Sequence, residues 1–201
     1  MFSFSDRALL TAVVADITLI LGYAISAVHP DRRVWPIGDS SWRGWFNWSA
    51  LSAVFAGVPV LAALDQDSFI FTERWNKLAG SGIAALGMGF ALSALFELGW
   101  MESSGREGEL RTDGIYEYTR NPQSVGFITF IVGAIVAVNS RKLAIHGILT
   151  ILVYALFPFA EEPWLREQYG QEYDEYRKRT PPIYRVELGE EAHHQIVCYR
   201  P

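Results

Sequence analysis

Arg120, Asn121, Glu161 and Glu162 are the side chains of this chain best suited to hold a polar ligand beside an apolar surface. Arg120 and Asn121 lie in the stretch Leu110–Gly126, LRTDGIYEYTRNPQSVG, which also carries Tyr116 and Tyr118. Glu161 and Glu162 follow the last apolar segment. A guanidinium pairs with a carboxylate, and carboxylates accept from ribose hydroxyls or an amino group. Aromatic and apolar side chains can cover a purine. Such a set suits a polar organic cofactor that brings its own reactivity. Other chemistries lack their residues. The one cysteine, Cys198, sits near His193 and His194 in the tail and reads as inert. No Ser/His/Asp or Cys/His set is evident. No metal-ligand spacing, phosphate-cradling loop or dinucleotide fingerprint is evident either.

The elements that must position these groups are apolar. Half of the 201 residues are hydrophobic, and the charges gather in connectors and in the tail. A net charge of −5 argues against a nucleic-acid partner. Five stretches approach the roughly 20 apolar residues of a membrane span: 8–28, 46–64, 78–100, 122–139 and 143–160. None carries the polar stripe of a soluble amphipathic helix. The first is too long for the apolar core of a cleavable signal and lacks a small-residue cleavage site. The expectation is an all-α polytopic membrane protein of about five spans, a single domain over 1–185 with a polar tail at 186–201.

Five spans place five Lys and Arg residues on one side and twelve on the other. The richer side is then cytoplasmic, with the N-terminus outside. The stretch 110–126 and the Glu161-Glu162 pair share that side, so they are expected to meet. Asp113-Gly114 marks a turn, and Pro122 suits the first position of a helix. Pro158 and Pro163 bracket the two acids and predict a bent, locally opened helix. Beyond it, Leu165, Tyr169, Tyr173 and Tyr176 share one face of an amphipathic helix over 164–179, ended by Thr180-Pro181-Pro182. That helix lies at the interface or over the central stretch.

Individual residues carry further expectations. Asp16 lies mid-span with no intramembrane cation to pair with, so it is read as neutral or hydrogen-bonded to a polar neighbour. His146 is read as hydrated near the outer end of its span. Trp35, Trp42, Trp45 and Trp48 read as an aromatic belt. Pro59 predicts a kink. Asp65, Asp67 and Glu73 read as solvated. Ser81, Ala85, Gly89 and Ser93 form a row that permits close helix packing and oligomerisation. Glu97 extends that row toward the cytoplasmic end, where solvation and a site role are both open.

The central stretch, the following helical hairpin and the run EEPWLREQYGQEYDEYRKRTP resemble the isoprenylcysteine carboxyl methyltransferase family and its phospholipid methyltransferase relatives. The pattern falls on Gly114, Tyr116, Arg120, Pro122, Gly126, Glu161, Glu162, Leu165, Gly170, Tyr173 and Tyr176, within residues 110–182. Asn121 stands where the family has His, and Ser124 where it has Tyr. Asn still donates and accepts hydrogen bonds but carries no proton near neutral pH. The resemblance implies an integral membrane methyltransferase using S-adenosylmethionine, with a lipophilic acceptor arriving from the bilayer. It implies that Arg120 and Glu161 act on the reacting groups. Gly114, Tyr116, Tyr118, Arg120, Asn121, Pro122, Gly126, Glu161, Glu162 and Leu165 would hold the cofactor. Two other readings stay open: a membrane reductase of the sterol-reductase type using NADPH, and a non-catalytic protein that keeps the scaffold.

Overall fold

The computed structural model describes residues 2–37, 41–71, 74–106 and 108–183. The expectations on Glu73, His193, His194, Cys198 and the polar tail at 186–201 lie outside these residues. The described chain is helical: α1 (Phe4–Val28), α2 (Ser41–Leu64), α3 (Trp75–Leu98), the short α4 (Trp100–Ser103), α5 (Pro122–Val138) and α6 (Arg141–Arg179). Four helices, α1, α2, α3 and α6, are long and apolar enough to cross a membrane, and α5 is a shorter apolar helix. The molecule is a polytopic membrane protein.

Local chemistry sets the helix ends. Ser3 caps α1 by accepting from Asp6 N at 3.1 Å, while the Asp6 carboxylate accepts from Ser3 N at 2.9 Å. Pro122 opens α5, where its missing N–H costs nothing. Asn139, in the left-handed region at φ 52°, ends α5, and its carboxamide oxygen accepts from the backbones of Ile70 and Phe71. Ser140 then caps α6, so the α5–α6 hairpin turns on two residues.

α3 packs most extensively on α5. Its contact row is Gly80, Gly87, Ala91 and Ala94, all buried. A methyl group on Gly87 would lie 2.8 Å from the Gly126 carbonyl oxygen, and one on Gly133 would lie 2.8 Å from that of Gly80. This corrects the row read from the sequence: Ser81, Ala85, Gly89 and Ser93 face outward. Both rows consist of small residues, and only the buried one lets the two backbones touch.

Two other expectations are overturned: the local opening of α6 at its prolines and the hydration of His146. α2 runs unbroken through Pro59. α6 likewise runs through Pro158 and Pro163 without opening; each proline removes only one backbone donor. The break comes at Gly170 instead, at φ 52° and ψ −123°. Asp16 is hydrogen-bonded to polar neighbours on α6, as expected. His146 Nδ1 lies 2.6 Å from Asp16 Oδ2, Nε2 lies 3.1 Å from the Val54 carbonyl, and Thr150 donates to Asp16 Oδ1 at 3.0 Å. Both ionisable residues are fully buried, so His146 is not hydrated. Burying them together satisfies polar atoms that hydrocarbon would leave bare.

At the hairpin end Asp65 is not simply solvated. It accepts from Ser68 at 2.8 Å and from Ser140 at 2.5 Å. Burial works to raise its carboxyl pKa. The Ser140 and Ser68 hydroxyls and the Lys142 N–H outweigh that and hold it below the ordinary value.

Candidate active site

At the opposite end of the bundle the two polar clusters converge. Gly114 adopts φ +59° against the Glu97 side chain, whose Oε1 accepts from Ile115 N at 3.3 Å. That turn feeds a short 3-10 segment, Gly114–Glu117, which buries Tyr116. The Tyr116 hydroxyl donates to the Ala94 carbonyl at 3.2 Å. Burial pushes its phenol above the usual tyrosine value, so it stays protonated as a donor.

The amphipathic end of α6 folds over this stretch. Tyr173, Tyr176, Leu165 and Tyr169 pack with Tyr116, Leu98, Leu110 and Ile115. The four α6 residues are those whose spacing predicted a common face. Tyr176 donates to the Tyr116 carbonyl at 2.6 Å, and Tyr169 to the Gly108 carbonyl at 2.9 Å. The chain after α6 then runs back along residues 119–121. Arg120 N donates to the Pro181 carbonyl at 2.9 Å, and Thr119 and Asn121 donate to that of Pro182 at 3.1 Å.

Arg120 is the hinge of the cluster. Its side chain is 8% exposed, and Nη1 lies 3.4 Å from both Glu162 Oε1 and the Tyr173 hydroxyl. Arg177 also donates to Glu162, at 3.0 Å. Glu162 is therefore a fastening for two arginines. Glu161 instead turns inward, and one of its oxygens accepts from the Trp35 indole at 2.8 Å. Trp35 is 2% exposed and so is not part of the aromatic belt, whereas Trp42 and Trp45 are exposed. Nothing in its sequence context separated it from the other tryptophans.

Two adjoining cavities share the walls formed by Leu98, Glu102, Tyr116, Arg120, Asn121 and Glu161. The larger, about 660 Å³ including its open mouth, continues past Arg106, Glu109, Arg111, Trp164, Leu165 and Tyr169. The smaller, about 310 Å³, continues past Ser103, Pro122, Gln123, Ser124 and Phe157.

Of the residues predicted from the sequence, Tyr116, Arg120, Asn121, Pro122, Glu161 and Leu165 line these cavities. Gly114 makes the turn behind them. Gly126 abuts Ala91 of α3, Tyr118 is 78% exposed, and Glu162 faces its arginines. The acids and arginines of α4 and the connection after it, Glu102, Arg106, Glu109 and Arg111, were not among the expected site residues. They precede Gly114, the first residue of the recognisable pattern, and their charge alone reads as loop solvation. Among the described residues no cluster of three potential metal ligands occurs.

Residues 75–172 match the family model described as phospholipid methyltransferase. That is the family the sequence resembles. A phosphatidylethanolamine N-methyltransferase of Botryotinia fuckeliana is 26% identical in an alignment 151 residues long that covers 67% of this chain and 15% of that protein. One from Aspergillus fumigatus is 24% identical in an alignment 151 residues long that covers 67% of this chain and 16% of the relative. A protein-S-isoprenylcysteine O-methyltransferase of Schizosaccharomyces pombe is 28% identical in an alignment 128 residues long that covers 57% of this chain and 50% of that one. The chain thus spans only about 15% of the first relatives' length and half of the last. No solved structure matches it. These relatives are named as methyltransferases, which does not favour a nicotinamide-dependent reductase or a non-catalytic scaffold.

Proposed function

We propose that the chain is an integral membrane methyltransferase that uses S-adenosylmethionine and alkylates a lipid amine. The observation that carries this reading is the meeting of Arg120 and Glu161 on the common wall of two cavities. The fit can be tested on one atom. Arg120 Nε is buried without a hydrogen-bond partner, and Arg120 lines the larger cavity. An anionic ligand group would satisfy it, since leaving a buried donor unpaired is costly.

In the larger cavity Arg120, with Arg106 and Arg111, suits the methionyl carboxylate. Glu109 suits the ribose hydroxyls, and Leu98, Trp164 and Tyr169 suit the adenine ring. The cofactor supplies a methyl group already activated on a sulfonium. The protein's part is to bind, align and keep water out.

The smaller cavity takes the acceptor head. Glu102 and Glu161 stand beside it, while Arg120 is already engaged by Glu162. That balance suits an ammonium better than a carboxylate. Methyl transfer needs the nitrogen lone pair, so one proton must leave first. Glu161, on the shared wall, accepts it; Asn121 cannot. Ser124, buried and small, leaves room that a tyrosine would fill. The charge asymmetry of the connectors supports a cytoplasmic cavity and an outer N-terminus.

The test is methyl transfer from labelled S-adenosylmethionine in nanodiscs holding either phosphatidylethanolamine or a farnesylcysteine analogue. Label in the amine lipid alone is expected. Label in the carboxylate alone would overturn the acceptor assignment, and label in neither, with no S-adenosylhomocysteine binding, would overturn the function.

A further inference from the structure

We propose that Trp35, from the connection between α1 and α2, is a positioning residue that holds the Glu161 carboxylate on the shared wall of the two cavities. The inference rests on the methyltransferase reading for what Glu161 does, but not for how Glu161 is held. Trp35 lies outside residues 75–172, the region matched by the family model. It also lies outside the lining of either cavity, so it acts through Glu161 and not on a ligand.

The indole is fixed from several directions. The Ser26 hydroxyl of α1 accepts from the backbone N–H of Val34 at 2.8 Å and of Trp35 at 3.2 Å. The ring lies 5.1 Å from Phe157 of α6 and 6.4 Å, edge-on, from Trp48 of α2. Gly105, at φ +76°, closes the remaining side; a methyl group there would come within 2.6 Å of the indole. Contacts from three helices and a connection leave the indole N–H one direction, and it points at Glu161 Oε1, 2.8 Å away.

This contact is specific in a way that packing is not. An indole N–H donates and never accepts, so it selects a carboxylate oxygen and occupies it. The other Glu161 oxygen is left for the acceptor. Without the donor, the same ring packing would allow the carboxylate to rotate away, and small misplacements of a reacting group cost rate more than affinity.

Trp35→Phe keeps an aromatic ring and removes the donor together with part of the buried ring volume. The expected result is a kcat lowered about tenfold or more, with S-adenosylhomocysteine affinity within about twofold of the parent. In a Glu161→Gln background the same substitution should add less than about a twofold loss. A readout free of turnover comes from 15N-tryptophan labelling. The indole resonance that vanishes in Trp35→Phe is expected to shift in Glu161→Gln and to stay in place in Glu162→Gln. Parallel loss of affinity and rate, or an indole resonance indifferent to Glu161→Gln, would overturn the proposal. Absence of methyl transfer with every acceptor, together with the expected resonance shift, would instead defeat the functional reading and leave the Trp35–Glu161 coupling standing.

Discussion

Arg120 and Glu162 stand 3.4 Å apart across 42 residues of sequence, and the α5–α6 hairpin is what brings them together. The pair divides the labour of two adjacent acids. Glu162 immobilises the arginine, and Glu161 faces the cavity.

Substitution of these acids should therefore give unlike results. Glu161→Gln is expected to lower methyl transfer by about a hundredfold or more, as removal of a proton acceptor does. Glu162→Gln should chiefly weaken cofactor binding, because Arg120 loses an anchoring charge. Titration calorimetry with S-adenosylhomocysteine beside a turnover assay separates the two; identical profiles would contradict the division.

The cover formed by α6 depends on the Tyr176 hydroxyl. Tyr176→Phe leaves the buried Tyr116 carbonyl without that donor, at a cost of about 1 kcal/mol or more. Proteolysis after Gly170, where the helix breaks, should become faster, and bound S-adenosylhomocysteine should slow it again.

Between α3 and α5 there is no room for a side chain. Gly87→Val or Gly133→Val must separate two backbones and should destabilise by about 1–3 kcal/mol or more. Gly89→Ala on the outward row meets nothing within 4 Å and should be neutral or slightly stabilising. Thermal melts in one detergent distinguish these outcomes.

Inside the bilayer, Asp16→Ala or His146→Ala each strands a buried polar partner. Each should lose about 2 kcal/mol or more, while the double substitution should cost less than the sum. Additive losses would show that the two residues are not coupled.

Asp65 gives a pH signature at the hairpin end. Its folded pKa is depressed, so its contribution is present above the unfolded carboxylate value and fades as pH falls through the folded one. The melting temperature should drop on acidification below about pH 4, and Asp65→Asn should flatten that drop.

Much of this architecture was readable beforehand because its signals are local. Pro122 starts a helix for reasons contained in its own ring. Leu165, Tyr169, Tyr173 and Tyr176 announce one face by spacing alone. The meeting of Arg120 with the acids of α6 followed from counting spans. What stayed hidden depends on partners distant in sequence. Asp16 and His146 lie 130 residues apart, and neither predicts the depth of the other. α3 carries two rows of small residues, and periodicity cannot say which one meets α5. Trp35 shares its chemistry with its exposed neighbours and differs in being pinned by partners such as Ser26 and Phe157.

The seam between α3 and α5 has a bearing on traffic. Where carbonyl and Cα of one helix touch those of the other, a hydrocarbon tail cannot slip through. On the proposed function, a lipid acceptor would then reach the smaller cavity from the other flank of α5, where Phe157 of α6 forms part of the wall.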